Sequence, residues 1–192
     1  INGNTITNEK VVRRAVFTRP GYLFRQTDFE RSVREIASMG NFDAETAADP
    51  TKGYSIIPNQ LTNTVDISYN VEEKSNSQLE LSGGWGSGMF VGTLGVSFNN
   101  FSTANFFRKE CWKPVPLGDA QQLAFRYQTN GKYYTALTAS FVEPWLFGKK
   151  PTSLNLSAYY TRQTNSLLYY GILNNDKQME ILGFSASLGN RL

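Results

Sequence analysis

The chain has 192 residues with 19 basic and 16 acidic side chains, no histidine and a single cysteine, Cys111, which excludes an internal disulfide and removes the commonest general base and transition-metal ligand. The net charge of +3 is scattered, with no basic cluster interleaved with aromatics, which argues against a nucleic-acid partner. The composition is 40% hydrophobic and 14% aromatic, yet no stretch approaches the roughly 18 to 20 consecutive apolar residues of a spanning helix; a helical membrane protein is excluded and a β-barrel, whose strands bury only alternate residues in lipid, is not.

The first 74 or so residues predict a mixed α/β domain. Thr7 is placed to cap a helix with Val11, Val12, Ala15 and Val16 on one side and Ile6 ahead of the cap, and Pro20-Gly21 to break it. Thr27-Asp28-Phe29-Glu30 fits a capping box for a second helix, in which Phe29, Val33, Ile36 and Ala37 recur at the i, i+4, i+7, i+8 spacing of a buried stripe. Gly40 is placed to end that helix, Phe42 to Ala44 to form a short strand, and, after a polar stretch, Val65 to Val71 to form a period-two strand.

From Ser77 onward every segment long enough to judge alternates. Leu79, Leu81 and Trp85 share a face with Gly83, opposite Gln78, Glu80, Ser82 and Gly84. Five further segments follow the same rule, with apolar sets Leu94/Val96/Phe98, Leu123/Phe125/Tyr127, Tyr133/Leu137/Ala139/Phe141, Leu154/Leu156/Ala158/Tyr160 and Leu182/Phe184/Ala186/Leu188. Joined by Gly-, Asn- and Pro-rich turns, they predict a meander of antiparallel strands. The opposite face carries Gly, Ala, Ser, Thr, Asn and Gln more than charge, which suits a wet barrel lumen. Trp85, Phe106, Phe107, Trp112, Trp145 and Phe147 crowd strand ends as interfacial girdles do. A soluble β-sandwich or lipocalin-like barrel alternates too and is the competing fold.

No metal-ligand cluster, nucleophile–base pair or phosphate loop is present, and Gly83-Gly84-Trp85-Gly86-Ser87-Gly88 falls in a strand and hairpin instead of preceding a helix. The chain is therefore expected not to be an enzyme and to need no cofactor. Because it starts on Ile1 and shows no signal peptide, an internal fragment or processed product is expected.

Ile1-Asn2-Gly3-Asn4-Thr5, Val11-Val12-Arg13-Arg14, Gly21-Tyr22-Leu23-Phe24, Met39-Gly40-Asn41-Phe42 and Val65 to Lys74, in that order, resemble the POTRA domain next to the barrel of BamA-type insertases. Gly83-Gly84-Trp85-Gly86 resembles that family's first barrel strand, Phe98-Asn99-Asn100-Phe101 with Asn105-Phe106-Phe107 the turn after its second, and Ser140 to Leu146 the turn between its fourth and fifth. The segment from Arg108 to Gly118 is longer than a usual periplasmic turn and departs from the pattern.

The resemblance implies an α+β POTRA domain over 1–74, lacking most of its first strand, followed over 77–192 by about six transmembrane strands of a sixteen-stranded barrel. It implies an outer-membrane location with the POTRA domain in the periplasm, and an activity that folds and inserts client β-barrel proteins through a lateral gate without ATP. Implied partners are unfolded outer-membrane clients, accessory lipoproteins of the assembly complex, periplasmic chaperones and outer-membrane lipid. The implied client-pairing strand is Leu79, Glu80, Leu81, Ser82, Gly83, Gly84, Trp85 and Gly86. A POTRA-barrel channel that secretes polypeptides through its lumen is the alternative. Barrel curvature is the plain explanation of the strand's glycines, interface anchoring that of Trp85, Trp112 and Trp145, and a solvated helix face that of Arg13, Arg14, Arg31 and Arg34.

Overall fold

A computed structural model describes residues 1–86, 89–112, 114–131, 133–148, 152–164, 168–169, 172–173 and 178–190. The chain divides into two compact units, one formed by Ile1–Asn76 together with Asn100–Ala120, the other by Ser77–Asn99 together with Gln121–Leu192. Among the described residues no helix is long and apolar enough to cross a membrane.

In the first unit, helices α1 (Glu9–Ala15), α2 (Gln26–Ser38) and α3 (Ala44–Ala48) accompany a small sheet of β1 (Tyr54–Asn59) and β2 (Thr64–Tyr69). These strands pair antiparallel, from Tyr54 opposite Tyr69 to Asn59 opposite Thr64. On the other side of β2, Asn2 forms a parallel bridge with Asn70, its N–H donating to the Tyr69 carbonyl and its carbonyl accepting from Val71. Period-two alternation turns Tyr69 and Val71 inward, where they join Val12, Phe29, Ile36, Phe42 and Ala47 in one core. The Phe29 ring meets Tyr54 edge-on at 4.8 Å and stacks on Tyr69 at 5.9 Å. Burying side chains of this size contributes roughly 1.5–3 kcal/mol each, so the α2 stripe and the strand alternation jointly hold this unit.

The apolar helix faces appear where the sequence places them: Val11 and Val12 are buried on α1, Phe29 and Ile36 on α2, with Ala15, Val16, Val33 and Ala37 packed around them. The helix starts differ. Thr7 does not cap α1, which begins at Glu9 with Asn8 at the cap; Thr7 is buried, donating its N–H to Glu73 and accepting at its hydroxyl from Asn100 Nδ2 at 2.9 Å. Helix α2 begins at Gln26, so Thr27 lies inside its first turn and the capping box does not form. Helix α1 stops at Ala15, well before Pro20-Gly21, because Val16 is extended and the next N–H, that of Phe17, goes to the Ser32 hydroxyl of α2 at 2.8 Å. Gly40 takes a φ of +73° just past α2, the left-handed position that favours glycine.

Residues 42 to 44 do not form the expected strand: Phe42 makes a single bridge to Glu73, and Asp43 caps α3 by accepting from the Thr46 N–H at 2.9 Å. Helix α3 and strand β1 occupy the stretch the sequence presented as polar loop.

The second unit is a six-stranded open antiparallel sheet in the order β10-β7-β6-β5-β4-β3, formed by β3 (Gln78–Gly86), β4 (Met89–Phe101), β5 (Gln121–Asn130), β6 (Tyr134–Glu143), β7 (Thr152–Thr164) and β10 (Gln178–Asn190). A two-residue pairing of β8 (Leu168–Tyr169) with β9 (Ile172–Leu173) lies between β7 and β10 in sequence. The six long strands fall on the six alternating segments of the sequence. Cross-strand partners share character: Leu182 faces Tyr160, Phe184 faces Ala158 and Leu188 faces Leu154, while on the other face Ser185 and Ser157 share a hydrogen bond of 2.7 Å. The apolar face is uncovered, with Phe184 76% exposed and Leu81 77% exposed.

Candidate functional site

All eight residues singled out in the sequence, Leu79, Glu80, Leu81, Ser82, Gly83, Gly84, Trp85 and Gly86, lie on β3, an edge strand of the six-stranded sheet. Its register with β4 sets Leu79 opposite Val96, Leu81 opposite Leu94, Gly83 opposite Gly92 and Trp85 opposite Phe90. Those pairs make its apolar face. On the other face Glu80 lies opposite Gly95, Ser82 opposite Thr93 and Gly84 opposite Val91.

The Gly83–Gly92 pair has no side chains of its own to interlock, and the Phe90 ring covers it: a Cβ on Gly83 would sit 3.1 Å from that ring and one on Gly92 2.8 Å from it. Nothing lies within 4 Å of where a Cβ on Gly84 would be, so the polar face is open there. Around Gly83 and Gly84, β3 is held by its backbone ladder to β4 and one borrowed aromatic ring, which makes this the least anchored stretch of the strand. Nearer its start, Glu80 Oε2 meets Arg126 Nη2 of β5 at 2.6 Å. The side of β3 away from β4 has no partner strand among the described residues and presents a row of free N–H and C=O groups.

The sequence singled out neither Arg126 nor the Phe90–Gly92 pair. A signal for the first existed, because Glu80 and Arg126 are the lone charged residues on the polar faces of their segments.

In the first unit two carboxylates organise the polar contacts. Glu73 accepts from the Thr5 hydroxyl at 2.6 Å and from the backbone N–H groups of Thr5, Ile6 and Thr7. Partial burial pushes its pKa up, but the hydrogen bonds from Thr5, Thr7 and Ile6 outweigh that and hold the carboxyl below its ordinary value. Asp119, from the 100–120 loop, is buried and accepts from Lys10 Nζ at 2.8 Å, Asn8 Nδ2 at 2.7 Å and the Ser102 hydroxyl at 2.6 Å. Burial again pushes upward and is overcome by Lys10, Ser102 and Asn8, which leave the carboxyl lowered. The Gly118 carbonyl accepts from the Asn8 N–H at 2.8 Å, so the long loop is fastened to the start of α1 through backbone and side chains together.

Strand β1 is itself an edge: β2 pairs with one side, and Pro58 removes one donor from its ladder. Ile57 and Leu61 are exposed beside it.

Residues 1–74 match the POTRA family, described as surface antigen variable number repeat. This segment is a POTRA domain. No curated protein matches the chain. POTRA domains occur in outer-membrane proteins, where they lie in the periplasm, and this one supports kinship with the outer-membrane family that includes the BamA-type insertases, with a role in outer-membrane protein assembly or secretion. The six-stranded antiparallel sheet that follows the POTRA domain accords with that family.

Proposed function

We propose that the chain belongs to the core subunit of an outer-membrane assembly machine, which folds and inserts client β-barrel proteins through a lateral gate whose template strand is β3. The observation that carries this reading is that the strand directly following a POTRA domain is a sheet edge, with one row of backbone groups paired to β4 and no partner strand for the other row among the described residues. In lipid each unpaired backbone group costs several kcal/mol, so a client strand that supplies the missing partners is captured strongly. The exposed apolar face formed by residues such as Leu81 and Phe184 supports a sheet solvated by lipid in preference to a soluble sandwich, which would cover it.

Strand pairing itself provides the driving force, so the proposed activity uses neither ATP nor cofactor. The partners are unfolded outer-membrane clients at β3, periplasmic chaperones and accessory lipoproteins on the POTRA side, and outer-membrane lipid around the sheet. The β1 edge of the POTRA domain offers a second backbone docking row on the periplasmic side. The Gly83–Gly92 pair supports the gate in particular, because the strand there is easy to bend and weakly held.

A secretion channel built from the same parts is the second reading, favoured by the same POTRA match. A photo-crosslinking residue placed at Ser82 or Gly84 of the full-length protein in cells separates the two, and both positions leave the Glu80–Arg126 pair intact. Capture of folding outer-membrane proteins is expected. Capture of the protein's own last strand alone, while clients are being assembled, would make β3 a plain seam and favour the channel.

A further inference from the structure

Charge is sparse on the six-stranded sheet, and its placement is uneven. Glu143, Arg162 and Glu180 lie on the apolar face, Glu143 opposite Leu154 and Arg162 opposite Glu180. The polar face carries Glu80 and Arg126 and, among the described residues of the six strands, no other charged side chain. The carboxylate stands on the edge strand β3 and the guanidinium two strands further in, on β5. A strand that pairs with the free edge of β3 therefore meets a carboxylate first, on a face otherwise made of neutral side chains.

Arg126 does not use that carboxylate up. Its Nη2 meets Glu80 Oε2 at 2.6 Å, and among the described residues Glu80 Oε1 has no hydrogen-bond partner. The glutamate is 48% exposed, so its free oxygen is open to a second cation. Strand β4 occupies one side of β3, which leaves the free edge as the side from which another strand can bring that cation. Residues directly opposite each other in an antiparallel pair have Cβ atoms about 4.5–5.5 Å apart, close enough for opposite charges to stabilise the pair and like charges to destabilise it. The reading is also specific to register, because a slip of one residue would carry the incoming charge to the apolar face.

We propose that Glu80 is a specificity determinant of the β3 edge: it favours an incoming strand that places Lys or Arg directly opposite it on the polar face and disfavours one that places Asp or Glu there. Arg126 is the resident counter-charge, which holds Glu80 while the edge is empty and competes with the cation that arrives. The inference rests on the template role proposed for β3 and adds the side chain by which that strand reads its client.

The test uses the full-length protein carrying Cys111→Ser and Ser82→Cys, reconstituted in phosphatidylcholine vesicles. The probe is an alternating apolar–polar peptide of about ten residues, the length of a barrel strand, whose single cysteine fixes the register through a disulfide to position 82. The peptide residue that then falls opposite Glu80 is Lys, Ala or Glu, and the equilibrium of the mixed disulfide against glutathione is read. The Lys peptide is expected to be held about threefold more tightly than the Ala peptide and the Glu peptide about threefold less tightly. Glu80→Gln should remove the difference, Glu80→Lys invert it and Arg126→Gln widen it, a pattern that a packing role for Glu80 would not produce. If Ser82→Cys prevents folding, Gly84→Cys takes its place, since nothing lies within 4 Å of a Cβ there. Peptides that all bind, with ratios that ignore residue 80, overturn the proposal and leave the template reading standing. Mixed disulfide no greater than that of a proline-broken peptide overturns both, because β3 is then closed to an incoming strand.

Discussion

Glu80 on β3 and Arg126 on β5 meet at 2.6 Å across the intervening strand β4, and Gly95 is the residue that lets them. A Cβ on Gly95 would sit 3.1 Å from Glu80 Oε2 and 3.2 Å from its Cβ, inside the space the glutamate uses. Both side chains are about half exposed, so the pair contributes no more than about 0.2–1 kcal/mol to stability. Its consequence is positional: it ties an edge strand to the strand two places in. Arg126→Gln and Gly95→Val are expected to leave overall stability within about 1 kcal/mol and to speed amide exchange along Leu79–Gly84 severalfold. Reversing both charges together, Glu80→Arg with Arg126→Glu, restores slow exchange. Unchanged exchange in all three variants would show that the β4 ladder alone holds the strand.

The carboxylates of Asp119 and Glu73 make the first unit acid-sensitive. Both folded pKa values are lowered, so each contributes stability that is present above its unfolded value and is lost as pH falls through the folded one. The ordinary values are 3.8 and 4.5, so stability should be flat at neutral pH and fall progressively below about pH 4.5. Asp119→Asn is expected to flatten part of that fall and to loosen the loop from Asn8 and Lys10. Thermal melting between neutral and acid pH, with proteolysis of the 100–120 loop as a local readout, checks both.

Ser32 is fully buried on α2, where its hydroxyl donates to the Asp28 carbonyl at 2.6 Å and accepts from the Phe17 N–H at 2.8 Å. Ser32→Ala removes the one acceptor that draws the chain off α1 at Phe17. The Phe17 N–H is part-buried, so losing its partner is expected to cost about 1 kcal/mol on chemical denaturation, the low end of the range for a buried unpaired donor. Ser32→Thr keeps the hydroxyl and separates the lost bond from a packing defect. Equal stability of Ser32→Ala and the parent would mean that water satisfies Phe17.

These relationships differ in how far the sequence announces them. Strands β3 to β7 and β10 were legible because each alternates over many residues, and the α2 stripe because Phe29, Val33, Ile36 and Ala37 repeat at helical spacing. Helix α3 was not, since its five residues are too short for a period and its start rests on the Asp43 side chain. Strand β1 was hidden by Pro58 and by an exposed face that follows no alternation. Thr7 and Thr27 are good caps by residue type, but Glu73 claims the Thr7 N–H from 66 residues away and the cap of α2 falls at Arg25, two residues before Thr27. The Asp119 cluster joins residues 111 positions apart, and no local pattern encodes such a contact. Strand β3 was legible for the opposite reason: its glycines and alternation are local.

Gly118 tests whether the long loop has one seat on the POTRA domain. Its φ is +135°, a backbone state that side-chain-bearing residues rarely adopt, and Ala120, two residues on, sits at +56°. The chain thus turns sharply on both sides of Asp119, which aims the carboxylate at Lys10, Asn8 and Ser102. A Cβ on Gly118 would lie 3.0 Å from the Ile6 carbonyl oxygen and 3.0 Å from Asn105 Nδ2, so Gly118→Ala meets backbone as well as strain. Strain of this kind costs of order 1–3 kcal/mol, and that much loss is expected, with the loop released in place of the core unfolding. Because Asn8 and Lys10 would lose Asp119 together, Gly118→Ala and Asp119→Asn should be less than additive in a double-mutant cycle. Full additivity would mean that the turn and the carboxylate fasten the loop independently, and the seat would then be two separate contacts instead of one.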